Sequence, residues 1–103
     1  MLPHDLFSAL ANPVRRQILE LLLQGPTTVN TLVEKFAVNR PAVSEHLQVL
    51  RKAQLVRDER RGRERFYHIE LSRLNELHAW LAPFERYWSQ RMRALEGVVD
   101  MDY

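Results

Sequence analysis

"NRPAVSEHLQVLRKAQLV", residues 39–56, decides how this chain is read. On a helical wheel at ~100° per residue, residues 40–54 separate into two arcs. Val49, Ala42, Ala53, His46, Leu50, Val43 and Leu47 fill the inner arc, about 160° wide, which belongs against a core. Arg40, Arg51, Ser44, Gln48, Pro41, Lys52 and Glu45 fill the outer one. Asn39 is placed to cap the helix, and Pro41 falls in the first turn, where a missing N–H costs nothing. The outer arc has the chemistry to read base edges: Arg40 for guanine, Gln48 for adenine, Ser44 for either and Glu45 for the cytosine amino group. A solvated face on an ordinary helical domain would have the same composition, so the neighbouring segments must decide.

Immediately upstream, "TVNTLVEKFA" (28–37) opens on Thr28 as a cap and places Val29, Leu32, Val33 and Phe36 on one face. The turn between the two helices is about three residues, short enough to force a sharp corner. Two short helices joined this way, the second polar near its start, form a helix-turn-helix. Downstream, "LVRDERRGRERFYHIE" (55–70) has strand-like flanks around Gly62, which supplies the positive φ of a hairpin turn. Arg57, Arg60, Arg61, Arg63 and Arg65 crowd that hairpin. Such a ribbon suits a phosphate backbone or a minor groove while the helix enters the major groove. Asp58, Glu59 and Glu64 offset part of the charge, so only some arginines face outward, and the tip residues Arg60, Arg61 and Arg63 are the expected contacts. A solvated hairpin with internal ion pairs is the competing reading.

The rest of the chain supplies three more helices. Leu2–Ala11 carries Leu6, Phe7 and Leu10 on one face. Asn12-Pro13 caps a second helix with Val14, Ile18, Leu21 and Leu22 as its stripe, and Gly25-Pro26 stops it. From Ser72, read as an N-cap, the chain is helical again to about Gly97, kinked or split at Pro83. The expected fold is mainly α with a small β-hairpin, a winged helix-turn-helix of order ααα-α-ββ-α. Residues 1–97 form its single domain, with a frayed tail at 98–103.

Composition agrees with one globular domain: 46 % hydrophobic and 27 % charged over 103 residues. No apolar run approaches the ~18 residues of a membrane helix, and no basic segment precedes an apolar one as in a signal peptide. The absence of cysteine excludes disulfides, thiolate metal sites and cysteine nucleophiles, and agrees with a cytoplasmic protein. The net charge of +2 is unevenly spread, at −1 over residues 1–34, +5 over 35–65 and −2 over 66–103. A basic middle between mildly acidic ends points to a polyanion as partner. A catalytic reading finds no support. Ser44, Glu45 and His46 are consecutive on one helix, so their side chains diverge. No Gly-rich phosphate loop or nucleophile elbow is present.

These segments together resemble the ArsR/SmtB-type winged-helix transcriptional regulators over nearly the whole length. "ALANPVRRQILELL" resembles the N-terminal signature, "RPAVSEHLQVLRKAQLV" the S-x-H-L-x-x-L recognition helix and following strand, and "RRGRERFYHI" the wing. The resemblance implies a homodimer on a pseudo-palindromic DNA operator, usually as a repressor. It implies DNA contacts from Arg40, Pro41, Ser44, Glu45 and Gln48 and from the wing, and dimerisation through the first and last helices. His46 matches the motif's histidine, and its place on the inner arc makes it structural. The family's Cys-x-Cys metal motif falls at Thr28 and Asn30. Its second metal site falls, without gaps, at Leu71, Arg73, Phe84 and Tyr87, and none of the four is a suitable ligand. His4, His46, His68 and His78 show no ligand spacing. No metal and no cofactor is expected. Gln54 stands where many relatives end the recognition helix with glycine, which implies a slightly different exit.

In the last helix, Leu77, Leu81, Phe84, Trp88, Arg91, Leu95 and Val98 step as a heptad-like seam with Arg91 as the exception. The expected dimer interface is Leu6, Leu77, Leu81, Phe84, Trp88 and Leu95. An aromatic-ligand pocket, or packing on the chain's own core, are the alternatives. A winged-helix protein-interaction module without a DNA role is the rival from another class. Metal-less relatives carry a similar W-L-x-P-F-x-x-x-W stretch, in keeping with regulation of the chain's own operon. The sequence names no inducer.

Overall fold

The computed structural model describes the backbone of residues 4–102 and the side chains of residues 5–96. Its helices are α1 (His4–Leu10), α2 (Pro13–Leu22), α3 (Val29–Phe36), α4 (Arg40–Lys52) and α5 (Leu74–Asp102). Its strands are β1 (Thr27–Thr28), β2 (Val56–Arg61) and β3 (Glu64–Ile69).

Local chemistry accounts for most of the boundaries. The Asn12 side chain accepts from the N–H groups of Val14 at 2.8 Å and Arg15 at 3.1 Å, and Pro13 opens α2. Thr28 caps α3 through the Thr31 N–H, and Asn39 caps α4 through the Ala42 N–H at 2.9 Å. Helix α4 ends in a Schellman pattern. The Leu55 N–H donates to the Leu50 carbonyl at 2.9 Å and the Gln54 N–H to that of Arg51 at 3.0 Å. Gln54 therefore takes the left-handed conformation, φ +61°, that glycine would adopt. The exit follows the glycine-type geometry, contrary to the altered path expected of a glutamine. The two closing hydrogen bonds, and burial of both Leu50 and Leu55, outweigh the strain of one residue.

Strands β2 and β3 pair antiparallel from Val56↔Ile69 to Arg61↔Glu64 around the Gly62 turn, φ +61°. Strand β1 adds to the other edge of β3, Thr27 opposite Tyr67 and Thr28 opposite Phe66, giving the order β1-β3-β2. The sequence reading had a two-stranded hairpin here. Two threonines carry no periodicity, and only the long-range pairing reveals them as a strand. Leu6, Ile18, Leu32, Val43, Leu47, Leu50 and Leu55 form the fully buried centre. Burying each leucine contributes roughly 2 kcal/mol.

Helix α5 differs from expectation in where it begins and where it ends. The Ser72 hydroxyl binds the Glu70 carboxylate at 3.1 Å instead of capping, and the helix begins two residues later. It runs unbroken through Pro83, which removes one hydrogen bond, to the carbonyl of Ala79. Both residues are exposed, so that carbonyl faces solvent, and the helix is not split. Its helical backbone extends past Gly97 to Asp102, into the stretch read from sequence as a tail. Leu74 and Leu77 pack on the core, and the remainder projects beyond the body. At ~1.5 Å per residue such a helix is about 43 Å long, which explains overall dimensions of 63 × 32 × 21 Å. Among the described residues no helix is long and apolar enough to cross a membrane.

Ala37, the exposed residue after α3, also stands in the left-handed region at φ +51°. Replacing it with glycine should raise stability by about 0.5–1 kcal/mol, relief of strain exceeding the gain in unfolded-state freedom. Urea unfolding of Ala37→Gly beside the parent chain measures it.

Candidate nucleic-acid interface

Helix α4 divides as its wheel predicts. Val43, Leu47 and Leu50 are at most 1 % exposed, and Leu32 of α3 and Ile18 of α2 join them in the same buried cluster. Arg40, Pro41, Ser44, Glu45 and Gln48 all stand exposed on the opposite side. His46 is half-buried, as the wheel places it, with Nδ1 3.3 Å from an Arg15 nitrogen.

Between the starts of α3 and α4 and the tip of the β2–β3 wing lies a cleft of about 210 Å³. It is lined by Thr28, Val29 and Asn30, by Arg40 of α4, and by Arg63, Glu64 and Arg65 of the wing. Thr28 and Asn30 were considered as metal-ligand positions and set aside; their place on this cleft was not anticipated. It arises because β1 docks on β3 and carries the cap of α3 up against the wing. Among the described residues neither Arg40 nor Arg63 makes an ion pair.

The other wing arginines are engaged differently. Asp58, its side chain only 8 % exposed, receives Arg51 at 3.2 Å from the last turn of α4 and Arg65 from β3. The hydrogen bond from Arg65, with the nearby Arg51 charge, outweighs burial and holds the Asp58 carboxyl below its ordinary value. This clamp ties the wing to the recognition helix. Arg61 binds Glu59 at 3.1 Å and lies over the Phe66 ring, 5.2 Å from its centroid. That hydrogen bond from Arg61 lowers the Glu59 carboxyl. Arg60 donates to the Gly62 carbonyl at 3.2 Å. Of the three tip residues, Arg63 is thus the least committed and Arg61 the most. Arg57 lies 3.9 Å from Glu70. Pairing inside the wing could be foreseen from its acids, but which arginine each acid takes depends on strand register.

One stripe of the projecting part of α5 is apolar and exposed, beside charged residues such as Glu85, Arg86 and Arg93. Trp80, Phe84, Tyr87, Trp88 and Leu95 are 46–65 % exposed, and Phe7 of α1 continues the ridge. Phe7 and Trp80 meet edge to face at 5.3 Å, and Trp80 and Phe84 lie 4.8 Å apart. Leu6, assigned to the dimer surface from sequence, is 0 % exposed and belongs to the core, because α1 turns Phe7 outward instead. Leu77 and Leu81 are half-buried, and Leu77 packs on the chain's own core. Phe84, Trp88 and Leu95 lie on the open ridge. Trp80 and Tyr87 stood out in the sequence as aromatics of this helix but not as members of the seam, and Phe7 was not assigned to it, since the direction in which α5 leaves the body is not written in its periodicity.

A buried helix-turn-helix with an exposed polar second helix, followed by a basic wing, defines a winged helix-turn-helix protein. Residues 12–58 match the model of the bacterial regulatory protein arsR family. The chain is 36 % identical to the HTH-type transcriptional regulator Rv2034 of Mycobacterium tuberculosis, over 97 % of this chain and 91 % of that protein. It is 32 % identical to the transcriptional repressor SdpR of Bacillus subtilis, over 79 % of this chain and 90 % of the repressor. It superposes with a TM-score of 0.65 on the homodimeric winged helix-turn-helix DNA-binding domain of Mb0332 from Mycobacterium bovis. The identity there is 30 %, covering 84 % of this chain and 81 % of that domain. The chain belongs to the arsR family of bacterial regulatory proteins.

The Asp58 clamp makes a pH prediction. With its carboxyl lowered from about 3.8 in the folded chain, the ionised group stabilises the fold fully above that value. The contribution is lost as pH falls through the lower folded value. Asp58→Asn should lower the melting temperature at pH 7 and flatten its decline between about pH 5 and pH 2. Thermal melts across that range measure both effects.

Proposed function

We propose that this protein is a homodimeric transcriptional repressor that binds a pseudo-palindromic operator in double-stranded DNA without needing a metal. The observation that carries this reading is the exposed polar arc of α4 beside the cleft, where Arg40, Arg63 and Arg65 outnumber the one lining acid, Glu64, and where neither Arg40 nor Arg63 makes an ion pair among the described residues. A phosphate on the DNA backbone is the anion such a pair would take, with Thr28 and Asn30 of the same cleft as neutral donors. That contact would seat α4 in the major groove. Arg40, Ser44, Glu45 and Gln48 would then meet base edges, with Pro41 at the groove wall. Arg60 and Arg61 of the wing would lie along the backbone.

Residues 1–97 serve in this reading as one unit that both binds DNA and dimerises. The ridge from Phe7 to Leu95 exposes five large aromatic side chains and a leucine, the kind of apolar surface that marks an interaction site. A second copy would cover it, with Phe84, Trp88 and Leu95 central. Two recognition helices would then face half-sites one or two helical turns apart, ~10–10.5 bp per turn. The homodimeric M. bovis domain and the B. subtilis repressor support assembly and outcome respectively. Metal independence rests on donor chemistry, since Thr28 and Asn30 offer no thiolate. The cytoplasm is where such a regulator meets its DNA, and its own operon is the nearest target.

Selection of genomic fragments on the purified protein, followed by footprinting with and without zinc, tests the reading directly. One palindromic footprint, unchanged by zinc, is the expected result. Arg63→Ala and Arg40→Ala should each weaken binding across sequences and reduce the salt slope by about 0.9. Gln48→Ala should instead relax the preference at one base position. Trp88→Glu should shift the protein from dimer to monomer in analytical ultracentrifugation and abolish the footprint.

A further inference from the structure

Asp58 is the one acid that takes two arginines among the described residues, and both arginines stand at the surface proposed to meet DNA. Arg51 follows Gln48 by three residues on the outer arc of α4, so the two side chains are neighbours. Its Nε lies 3.2 Å from one Asp58 oxygen. Arg65, which lines the cleft with Arg40 and Arg63, donates to the other oxygen. Strand register brings it there. Asp58 pairs with Tyr67 and Arg60 with Arg65, which makes Arg65 the diagonal neighbour of Asp58. The Asp58 side chain is 8 % exposed, against 61 % for Arg51 and 48 % for Arg65. The carboxylate is thus covered by two guanidinium groups that still face solvent.

Free guanidinium groups at those two places would bind the backbone of any duplex, because a phosphate contact carries no sequence information. Each would steepen the salt slope by about 0.9 and tighten sequence-independent binding roughly tenfold at ~0.1 M salt. Selectivity is the ratio of operator binding to that background. To reach a phosphate, either arginine must leave a buried carboxylate short of a partner, which is costly. The Arg65 hydrogen bond and the Arg51 charge hold that carboxyl below its ordinary value against the effect of burial, so it stays ionised at neutral pH. Residues 59–65 are all exposed, so Asp58 is also the outermost point at which β2 is tied to α4.

We propose that Asp58 is a selectivity residue: it withholds Arg51 and Arg65 from the phosphate backbone and aims the wing, leaving operator choice to α4 and the Arg40–Arg63 cleft. This role rests on the DNA-binding reading above. A carboxylate that served stability alone would act differently. Its loss would weaken binding to operator and unrelated duplex alike and leave the salt slope unchanged.

The test uses fluorescence anisotropy of the intact chain on its selected operator duplex and on a scrambled duplex of equal length and composition. Salt is varied from about 0.1 to 0.3 M, with circular dichroism checking the fold of each variant. Asp58→Asn should bind the scrambled duplex about tenfold more tightly at the lowest salt, with a slope steeper by about 0.9–1.8. Its operator affinity should change by less than about threefold, since a wing no longer aimed offsets the added charge, so selectivity falls. Arg51→Gln should leave the scrambled-duplex slope of the parent unchanged and lower that of Asp58→Asn by about 0.9. A scrambled-duplex affinity and slope unaffected by Asp58→Asn, or equal factors of change on both duplexes, overturns the role. So does a slope that falls by about 0.9 on Arg51→Gln in the parent, a result that decides even where Asp58→Asn does not fold. A parent that binds no duplex overturns the proposed function and this role with it. A parent that selects an operator while these slopes fail overturns this role alone.

Discussion

Burial of one stripe of α4 is the constraint on which the other features depend. Val43, Leu47 and Leu50 lie within 1 % of complete burial, in one cluster with Ile18 and Leu32. A helix held that tightly along one side has no rotational freedom, so its opposite side is displayed in a single orientation. The polar arc therefore does not need internal hydrogen bonds to be ordered. Truncating a leucine in that stripe would cost roughly 2–5 kcal/mol, a large part of the stability of a domain this size, and would also loosen the surface proposed to meet DNA.

Charged contacts then set how the neighbouring elements sit around that fixed helix. Asp58 ties the wing to its last turn through Arg51 and Arg65, and Arg73 performs a similar service at the exit. The Arg73 guanidinium donates to the Ala53 carbonyl at 3.1 Å, to Gln54 at 3.3 Å, and to Asp5 and Glu76. It links α1, α4 and the first turn of α5 at one point, with its side chain only 11 % exposed. The abundance of arginine thus has two sources in one chain. Some arginines are internal fasteners, each satisfied by carbonyls or carboxylates. Arg40 and Arg63 make no ion pair among the described residues, and the functional proposal rests on them.

The helices of the helix-turn-helix were legible because their signals are local. A 3.6-residue stripe, an asparagine or threonine cap and a proline in the first turn act within a few residues, and the caps at Asn12, Thr28 and Asn39 all form. Gly62 marked the wing turn for the same reason. The recognition-helix residues were legible as an exposed face, because whatever is not on the buried stripe must be outside. Less of the wing could be read. Its acids announced pairing, but whether Arg61 or Arg63 stays unpaired depends on register and on the Phe66 ring beneath Arg61. Strand β1 left no trace, since two residues have no period.

The amino-acid sequence alone determined which segments become helices, which face of α4 is buried, where the hairpin turns and which family the chain resembles. Those properties follow from backbone propensity and from periodic burial over short stretches. Tertiary structure decided what lies next to what: Thr28 and Asn30 on a cleft with Arg40 and Arg63, Asp58 between two arginines, and Leu6 inward with Phe7 outward. It also decided that α5 passes through Pro83 unbroken and leaves the body with its aromatic ridge uncovered. Such outcomes depend on contacts between residues tens of positions apart, which the order of residues along a strand or helix does not encode.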